Sequence, residues 1–175
     1  MSFKQFIVIP VFIAFQAFTM MVLAPFIRLP GVDAGGPGLI TWIAFQAWAM
    51  YFLAGCDLKG GIKTLIGYIV GIVASIAIMV LGGKLAGMGF YAVPLAILVI
   101  VIPVIFLEKV KWLDFIPAIF VGAGAFFAFM SYVPNATFAI AAKTEIIYCL
   151  LGLFYGYITI AIRGAYEKKV GAASE

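Results

Sequence analysis

Two glutamines occupy the same place in two matching segments of this sequence. Their side-chain amides are polar groups in apolar surroundings and therefore need hydrogen-bond partners. Gln16 lies in the segment AFQAFTM (14–20) and Gln46 lies in AFQAWAM (44–50), so each amide stands in an apolar, aromatic-rich run. An amide surrounded by hydrocarbon costs several kcal/mol unless it finds a hydrogen-bond partner. That partner is either another helix or the water and solute of a pathway.

The other polar side chains within the apolar runs are also uncharged. With their aromatic neighbours, the candidates for lining a pathway or binding a solute are Gln16, Thr19, Thr41, Trp42, Gln46, Tyr51, Ser75 and Ser131. Neutral donors and acceptors suit a small uncharged or weakly polar solute, because diameter and hydrogen bonding then set the selectivity. The alternative is a structural role, in which the two glutamines hydrogen-bond each other and contribute about 0.6 to 2 kcal/mol.

The composition requires a lipid environment around these side chains. Hydrophobic residues make up 66% of the chain and charged residues 10%, with a mean hydropathy of +1.23, whereas soluble domains are about 45–50% apolar and 25% charged. Strands of a membrane barrel would alternate apolar and polar residues, and these runs do not. The sequence therefore predicts an all-α integral membrane protein with the lipid bilayer as its partner.

Six apolar stretches are each close to the roughly 17–25 residues that cross a bilayer as a helix. They cover residues 6–26, 39–54, 64–81, 90–106, 115–133 and 140–162. We expect a six-helix bundle that forms a single transmembrane domain over residues 1–175. The loop 29–38 is rich in glycine and proline and is either a plain connector or a lid.

The basic residues divide unevenly between the two sides of such a bundle. One side holds Lys4, Lys59, Lys63, Lys109, Lys111, Arg163, Lys168 and Lys169, and the other holds Arg28, Lys84 and Lys143. Because cytoplasmic loops are enriched in lysine and arginine, this distribution places both termini in the cytoplasm. The net charge of +4 is thus explained by topology, and no nucleic-acid partner is expected.

Small residues recur at four-residue spacing along three of the predicted helices. The glycines of these seams are Gly67, Gly71, Gly122, Gly124, Gly152 and Gly156. Such seams let helix backbones approach closely. We expect them to pack helices within the bundle or between the copies of a homo-oligomer.

Lys143 and Glu145 are the charged residues closest to the interior of a predicted span. They fall in the first turns of the sixth helix, where they are either solvated at the outer surface or form a charged gate in an outer vestibule. Elsewhere the spans are predicted to hold no ionisable group. This disfavours proton coupling and leaves sodium coupling through backbone carbonyls open.

The residues that enzymes and metal sites need are scarce. Histidine is absent, no two carboxylates stand at helical spacing within a span, and no phosphate-binding loop is present. The two cysteines, Cys56 and Cys149, are predicted near a membrane surface and in mid-helix, so they neither pair nor provide metal-ligand spacing. We expect no enzyme, no cofactor and no metal site.

Three parts of the chain resemble one family. Tyr51-Phe52 with the turn LKGG (58–61), the segment FIPAIFVGA (115–123) and the segment LGLFYGY (151–157) are similar to small multi-span bacterial inner-membrane proteins catalogued as a domain of unknown function. The similarity runs from about Thr41 to Tyr157. It implies a multi-pass protein of the bacterial inner membrane and carries over no substrate or catalytic residue. The family's pattern does not require glutamine at position 46.

These observations favour a channel or facilitator for a small neutral or weakly charged metabolite. A secondary transporter, with sodium as one coupling ion, is the first alternative, because the second helix is short and several spans contain proline. A non-transporting scaffold or accessory subunit is the second, because charged sites are few and packing glycines are many. The residues do not name the solute.

Overall fold

The computed structural model describes residues 1–27 and 40–172, without the side chains of Pro25 and Ala172. The described residues form helices and turns and contain no strand. The six main helices are α1 (Phe3–Leu23, with a break at Ile7), α2 (Trp42–Leu53), α3 (Leu58–Lys84), α4 (Ala92–Phe106), α5 (Ile116–Tyr132) and α6 (Phe138–Ala172). The predicted loop 29–38 lies outside the described residues.

Four helical segments are long and apolar enough to cross a membrane. They are α1, α3, α6 and the segment Ala86–Lys109, which contains α4. The other two helices, α2 and α5, are apolar but shorter, with 12 and 17 residues. The all-helical class is confirmed, and these helices indicate a membrane protein.

Two helices are longer than predicted because polar side chains cap or extend them. α3 begins at Leu58 and not at Thr64, since the Asp57 carboxylate accepts the backbone N–H of Gly60 at 2.6 Å and so caps the first turn. α6 continues past residue 162 to Ala172, with an ion pair between Arg163 and Glu167 one turn apart at 2.8 Å. The boundaries of the other four helices differ from the predicted ones by three residues or fewer.

The seam between α3 and α5 brings two backbones into contact. A Cβ placed on Gly67 would lie 2.6 Å from the Ala118 Cβ, and one placed on Gly71 would meet the backbone of Ile119. Real atoms do not approach so closely, so neither position accepts a side chain without displacement of a helix. Glycine is therefore what allows α3 and α5 to pack at this distance.

A second seam joins α2 and α6. A Cβ on Gly152 would lie 2.8 Å from the Ala47 Cβ, and one on Gly156 would lie 2.7 Å from the Tyr51 ring. Gly124 differs from the other seam glycines, because it is exposed and a Cβ there meets nothing within 4 Å. Five of the six predicted seam glycines thus pack helices within this chain, and Gly124 does not.

One ion pair ties the start of α3 to the segment before α5. Lys63 Nζ donates to Asp114 Oδ2 at 2.6 Å, with side-chain exposures of 21% and 36%. The hydrogen bond from Lys63 holds the pKa of Asp114 below its usual value. The pair lies at the end of the bundle where the chain enters α5.

We expect Gly67→Ala to destabilise the protein by about 1–3 kcal/mol, because the added methyl overpacks the contact with Ala118. Gly83→Ala is the matched control on the same helix, since a Cβ at Gly83 meets nothing within 4 Å. The control is expected to leave stability unchanged or to raise it slightly. The stability of both variants is measured by unfolding in detergent, followed by circular dichroism. Equal losses of stability in the two variants would contradict the close packing of α3 on α5 at Gly67.

The Lys63–Asp114 pair gives a stability contribution with a defined pH dependence. Because the folded-state pKa of Asp114 is lowered, the pair stabilises the fold above the ordinary carboxyl pKa of about 4, and this contribution disappears as the pH falls through the folded-state pKa. Asp114→Asn is therefore expected to lower the melting temperature at pH 7 and to have a progressively smaller effect as the pH is lowered below about 4. Glu108→Gln, at an exposed pair, serves as the control, and a constant effect of Asp114→Asn across this range would refute the assignment.

Candidate functional site

One face of α6 carries three of the seven buried polar or charged side chains of the described residues, Thr144, Glu145 and Thr159. The face repeats every three or four residues, as a helix requires when a single side is turned inward. Its buried members are Ala141, Thr144, Glu145, Tyr148, Cys149, Gly152, Tyr155, Gly156 and Thr159. Glu145 and Thr159 stand 14 residues apart on this face, which is about 21 Å along the axis.

Glu145 is the most unusual group on this face. Its exposure is 0%, and both carboxyl oxygens lack a hydrogen-bond partner among the described residues. α6 begins at Phe138, where the Thr137 hydroxyl accepts the backbone N–H of Ile140 at 3.3 Å. Glu145 therefore lies about two turns inside the helix, or about 10 Å from its start.

Three helices meet at the Glu145 carboxyl because α5 has a glycine there. A Cβ placed on Gly122 would lie 3.3 Å from Glu145 Oε1 and 2.7 Å from the Tyr68 Cα. A single methyl group at this position would thus press against α3 and the carboxyl of α6 together. The absence of a side chain at Gly122 makes room for Glu145.

We name Glu145, Tyr68 and Thr144 the carboxyl centre, because the Tyr68 backbone and the Glu145 carboxyl both adjoin Gly122 and Thr144 precedes Glu145 in the chain. Tyr68 and Thr144 have exposures of 0%, and their hydroxyl oxygens also lack partners in the described part of the chain. The Tyr68 Cα lies 2.7 Å and the Glu145 Oε1 3.3 Å from the position of a Cβ on Gly122, so the two residues adjoin the same glycine. Buried polar groups are normally hydrogen-bonded, so several unpaired groups in one region require an explanation.

The structure separates the two residues that the sequence proposed as a gate. Lys143 is exposed, whereas Glu145, two residues further along the helix, is fully buried. Residues two apart on a helix point in nearly opposite directions, so the two side chains do not pair. The alternative in which Glu145 is solvated at the outer surface is therefore wrong, since this side chain is fully buried.

The sequence contained a signal for the position of Glu145. The seam of Gly152 and Gly156, continued toward the start of α6 at helical spacing, reaches Cys149, Tyr148 and Glu145. This places the carboxylate on the packing face of the helix and not on its solvated side. Tyr68 and Thr144 carried no comparable signal, because which helices meet at Gly122 is decided by the fold.

A second polar group, the amide centre, holds Gln16 against the other end of the α6 face. Gln16 is 4% exposed, its Oε1 accepts from the Thr159 hydroxyl at 2.9 Å, and its Nε2 donates to the Tyr155 carbonyl at 3.4 Å. The Thr159 hydroxyl also lies 2.7 Å from that carbonyl. Since a hydroxyl has one proton, it donates to one of these two acceptors at a time.

Thr19 and Trp48 complete the amide centre. The Trp48 indole donates to the Thr159 hydroxyl at 3.0 Å, and the Thr19 hydroxyl donates to the Gln16 carbonyl at 2.8 Å and lies 3.1 Å from the Tyr155 hydroxyl. α6 thus stands between α1 and α2 and connects them through one threonine. Each polar member of this centre has a partner, as expected of a structural contact.

The two glutamines of the repeated segment have different environments. Gln16 is enclosed and bonded to α6, whereas Gln46 is exposed on the surface of α2. The expectation that the two amides could bond each other is wrong, because α6 lies between the two helices. Short sequence repeats do not fix which face of a helix is turned inward.

The remaining predicted pathway residues are distributed over α3, α5 and the start and end of α2. Ser75 is buried on α3 and donates to the Ala123 carbonyl at 3.2 Å, and Tyr51 is buried against Gly61 and Gly156. Thr41 is 1% exposed with its hydroxyl unpaired among the described residues, and Trp42 is half-buried beside it at the start of α2. Ser131 is exposed at the end of α5. Since Gln46 and Ser131 are exposed, the eight candidates are not all gathered in one enclosed site.

A family model covers almost the whole chain, including both centres. Residues 6–165 match the model described as "Protein of unknown function (DUF1097)". The chain belongs to the DUF1097 family. This confirms the resemblance indicated by the sequence motifs, and DUF1097 membership assigns no activity. No curated protein and no solved structure shows a significant match to this DUF1097 chain.

The amide centre is expected to be structural. Gln16→Leu removes the partner of Thr159 and is expected to destabilise the protein by about 1–3 kcal/mol, since buried polar groups then lose their bonds. Gln46→Leu is the matched control, because it changes the same residue type in the same local sequence at an exposed position. Unfolding of the monomeric, detergent-solubilised variants measures both, and a stability loss confined to Gln46→Leu would reverse the assignment.

Proposed function

We propose that this chain is an ion-coupled membrane carrier whose central binding group is the Glu145 carboxyl. One observation carries the proposal: a carboxyl with 0% exposure and no hydrogen-bond partner among the described residues lies where three helices meet. Ionisable residues inside membrane bundles are costly, and they typically mark ion or substrate pathways. A purely structural role would instead favour a paired or apolar side chain.

The charged residues around Glu145 determine which ions the proposed site would bind. Each described lysine and arginine is exposed except Lys63, which is half-buried and paired with Asp114. No basic side chain in the described ranges therefore balances the Glu145 carboxylate. Since a lone carboxylate in hydrocarbon is too costly to persist, the proposed site takes up a proton or a monovalent cation and disfavours anions.

The two hydroxyl groups of the carboxyl centre support this assignment. The oxygens of Tyr68 and Thr144 are neutral, buried and unpaired within the described residues. Oxygen atoms are the ligands that hard cations prefer, and hydroxyl groups also donate to or accept from a carboxyl group. In the proposed carrier, Glu145 supplies the charge and the hydroxyls supply neutral contacts to an ion or a small polar solute.

The enclosure of the site favours a carrier over an open channel. Glu145, Tyr68 and Thr144 are all 0% exposed, so an ion reaches the carboxyl only if helices move. A carrier passes through such a closed state between two open ones, with packed helices moving as rigid bodies. We propose the contact at Gly122, between α3, α5 and α6, as the place where the site opens.

The proposed topology has six spans in the bacterial inner membrane, with both termini in the cytoplasm. The distribution of basic residues, eight on one side and three on the other, supports this orientation. α2 has 12 residues and reaches about 18 Å, against about 30 Å of hydrocarbon. As a span it requires local thinning of the bilayer or shielding by its neighbours.

A channel for a neutral solute remains a prediction from the sequence, with less support than the carrier. Its main support was the pair of glutamines, and Gln16 is bonded to Thr159 and Tyr155 while Gln46 is exposed. A scaffold likewise remains a prediction. It leaves the buried, unpaired carboxyl of Glu145 without a role.

We expect Glu145→Gln to fold and to reduce gradient-driven uptake at least tenfold, because an amide neither releases a proton nor balances a cation. The measurement uses purified protein in liposomes with an imposed pH or sodium gradient. A dye reports proton movement while uptake is tested for alkali cations, small amines, amino acids and sugars. Glu108→Gln is the control, since this carboxylate is exposed and paired with Lys109, and it is expected to transport like the wild type.

Equal uptake by Glu145→Gln and wild type would overturn the role of the carboxyl. Rapid flux that neither saturates nor responds to a gradient would identify a channel, and no protein-dependent flux of any solute would favour a scaffold. A second readout needs no known solute. Exchanging choline chloride for sodium chloride at constant pH is expected to shift the melting temperature of the wild type and not that of Glu145→Gln.

A further inference from the structure

Gln46 is an exposed amide on a helix whose outward surface is otherwise apolar. It lies within α2 and is exposed, and its side-chain amide makes no hydrogen bond to another described residue. The neighbouring outward residues at helical spacing are Ala49 and Leu53, both exposed. The surface formed by Gln46, Ala49 and Leu53, which we name the α2 face, is therefore apolar except for one amide.

The depth of Gln46 in the bundle follows from the packing of α2 on α6. A Cβ on Gly152 would lie 2.8 Å from the Ala47 Cβ and 2.9 Å from the Trp48 nitrogen, so Gln46 stands level with Gly152. Gly152 is 14 residues from Phe138 and 11 residues from Arg163 along α6, or about 21 and 16 Å. Gln46 therefore lies near the middle of the apolar part of the bundle.

An amide at this level and on this surface needs a partner from outside the described chain. Lipid chains offer no hydrogen-bond donor or acceptor, and an unpaired polar group in hydrocarbon is strongly disfavoured. The outward position of Gln46 excludes the solution found for Gln16, which bonds to α6. Polar side chains within membrane helices commonly associate with other helices for this reason.

A second copy of this chain has the complementary group at the required depth. Two copies related by a two-fold axis along the membrane normal place identical residues at identical levels. A carboxamide carries both a donor and an acceptor, so two Gln46 side chains facing each other form two reciprocal hydrogen bonds. Ala49, one turn away, has a small side chain that leaves room for close approach of the two helices.

We propose that the α2 face is the contact between two copies of this chain and that the Gln46 amides bond each other across the two-fold axis. This assigns the homo-oligomer expected from the sequence to a different surface. Five of the six seam glycines pack helices within one chain and are not free for a second copy. The proposal rests on Gln46 and its level, and it does not depend on the function assigned to Glu145.

Cysteine cross-linking in liposomes tests the contact directly. Gln46→Cys and Ala49→Cys are made in a background with Cys56→Ser, because Cys56 is partly exposed whereas Cys149 is buried. On addition of an oxidant, both are expected to give covalent dimers in high yield. Val99→Cys on α4 and Val73→Cys on α3 are controls, since both positions are exposed, at 53% and 61%.

Equal yields at positions 46, 49, 73 and 99 would overturn the proposal. It would also fail if Ala49→Cys, which keeps Gln46, stayed monomeric, since lipid or another partner would then cover the α2 face.

The role of the Gln46 amide is tested by fluorescence energy transfer between labelled copies of the chain, measured as the protein is diluted with lipid. Gln46→Leu is expected to shift the monomer–dimer midpoint about tenfold toward the monomer, as the loss of two reciprocal bonds between membrane helices predicts. Gln46→Asn keeps the amide and is expected to retain most of the association. An unchanged midpoint in Gln46→Leu, or equal losses in the two variants, would refute the role of the amide.

Discussion

Contact between helix backbones at glycine is the constraint on which the other features of this protein depend. At Gly67 and Gly71, α3 touches α5, and at Gly152 and Gly156, α2 touches α6. In hydrocarbon, helices gain little from hiding apolar surface, so close packing and interhelical hydrogen bonds hold a bundle together. These glycines fix how α3 packs on α5 and how α2 packs on α6, and this helps to decide which polar side chains meet inside.

The buried face of α6 therefore holds two polar centres of opposite character. In the amide centre, Gln16, Thr159 and Trp48 satisfy one another, and the result is a contact that joins three helices. In the carboxyl centre, the Glu145 oxygens are enclosed and unpaired among the described residues. A bundle selected for stability alone would not retain such a group, since an apolar residue of similar size packs at lower cost. This difference is why we assign structure to the first centre and function to the second.

The repeated segment around the two glutamines illustrates how position within the bundle decides the role of a side chain. Gln16 and Gln46 share nearly the same neighbours in sequence. Gln16 points toward α6 and hydrogen-bonds to it, whereas Gln46 points outward from an apolar helix surface. The cost of an unpaired amide applies to both, so the inward glutamine stabilises one chain and the outward one is free to join two chains.

The sequence by itself determined the helical class, the approximate limits of the helices and the glycines that pack them, because hydrophobic run length and small-residue spacing act locally. It also determined that Gln16 needs a partner. The tertiary structure decided who the partner is, since Thr159 and Tyr155 lie 143 and 139 residues away in the chain. It also decided that Glu145 is enclosed, because its environment depends on Gly122 and Tyr68 arriving from two other helices. Helical spacing from Gly152 and Gly156 indicates the packing face on which Glu145 lies, but its complete burial is a property of the assembled bundle.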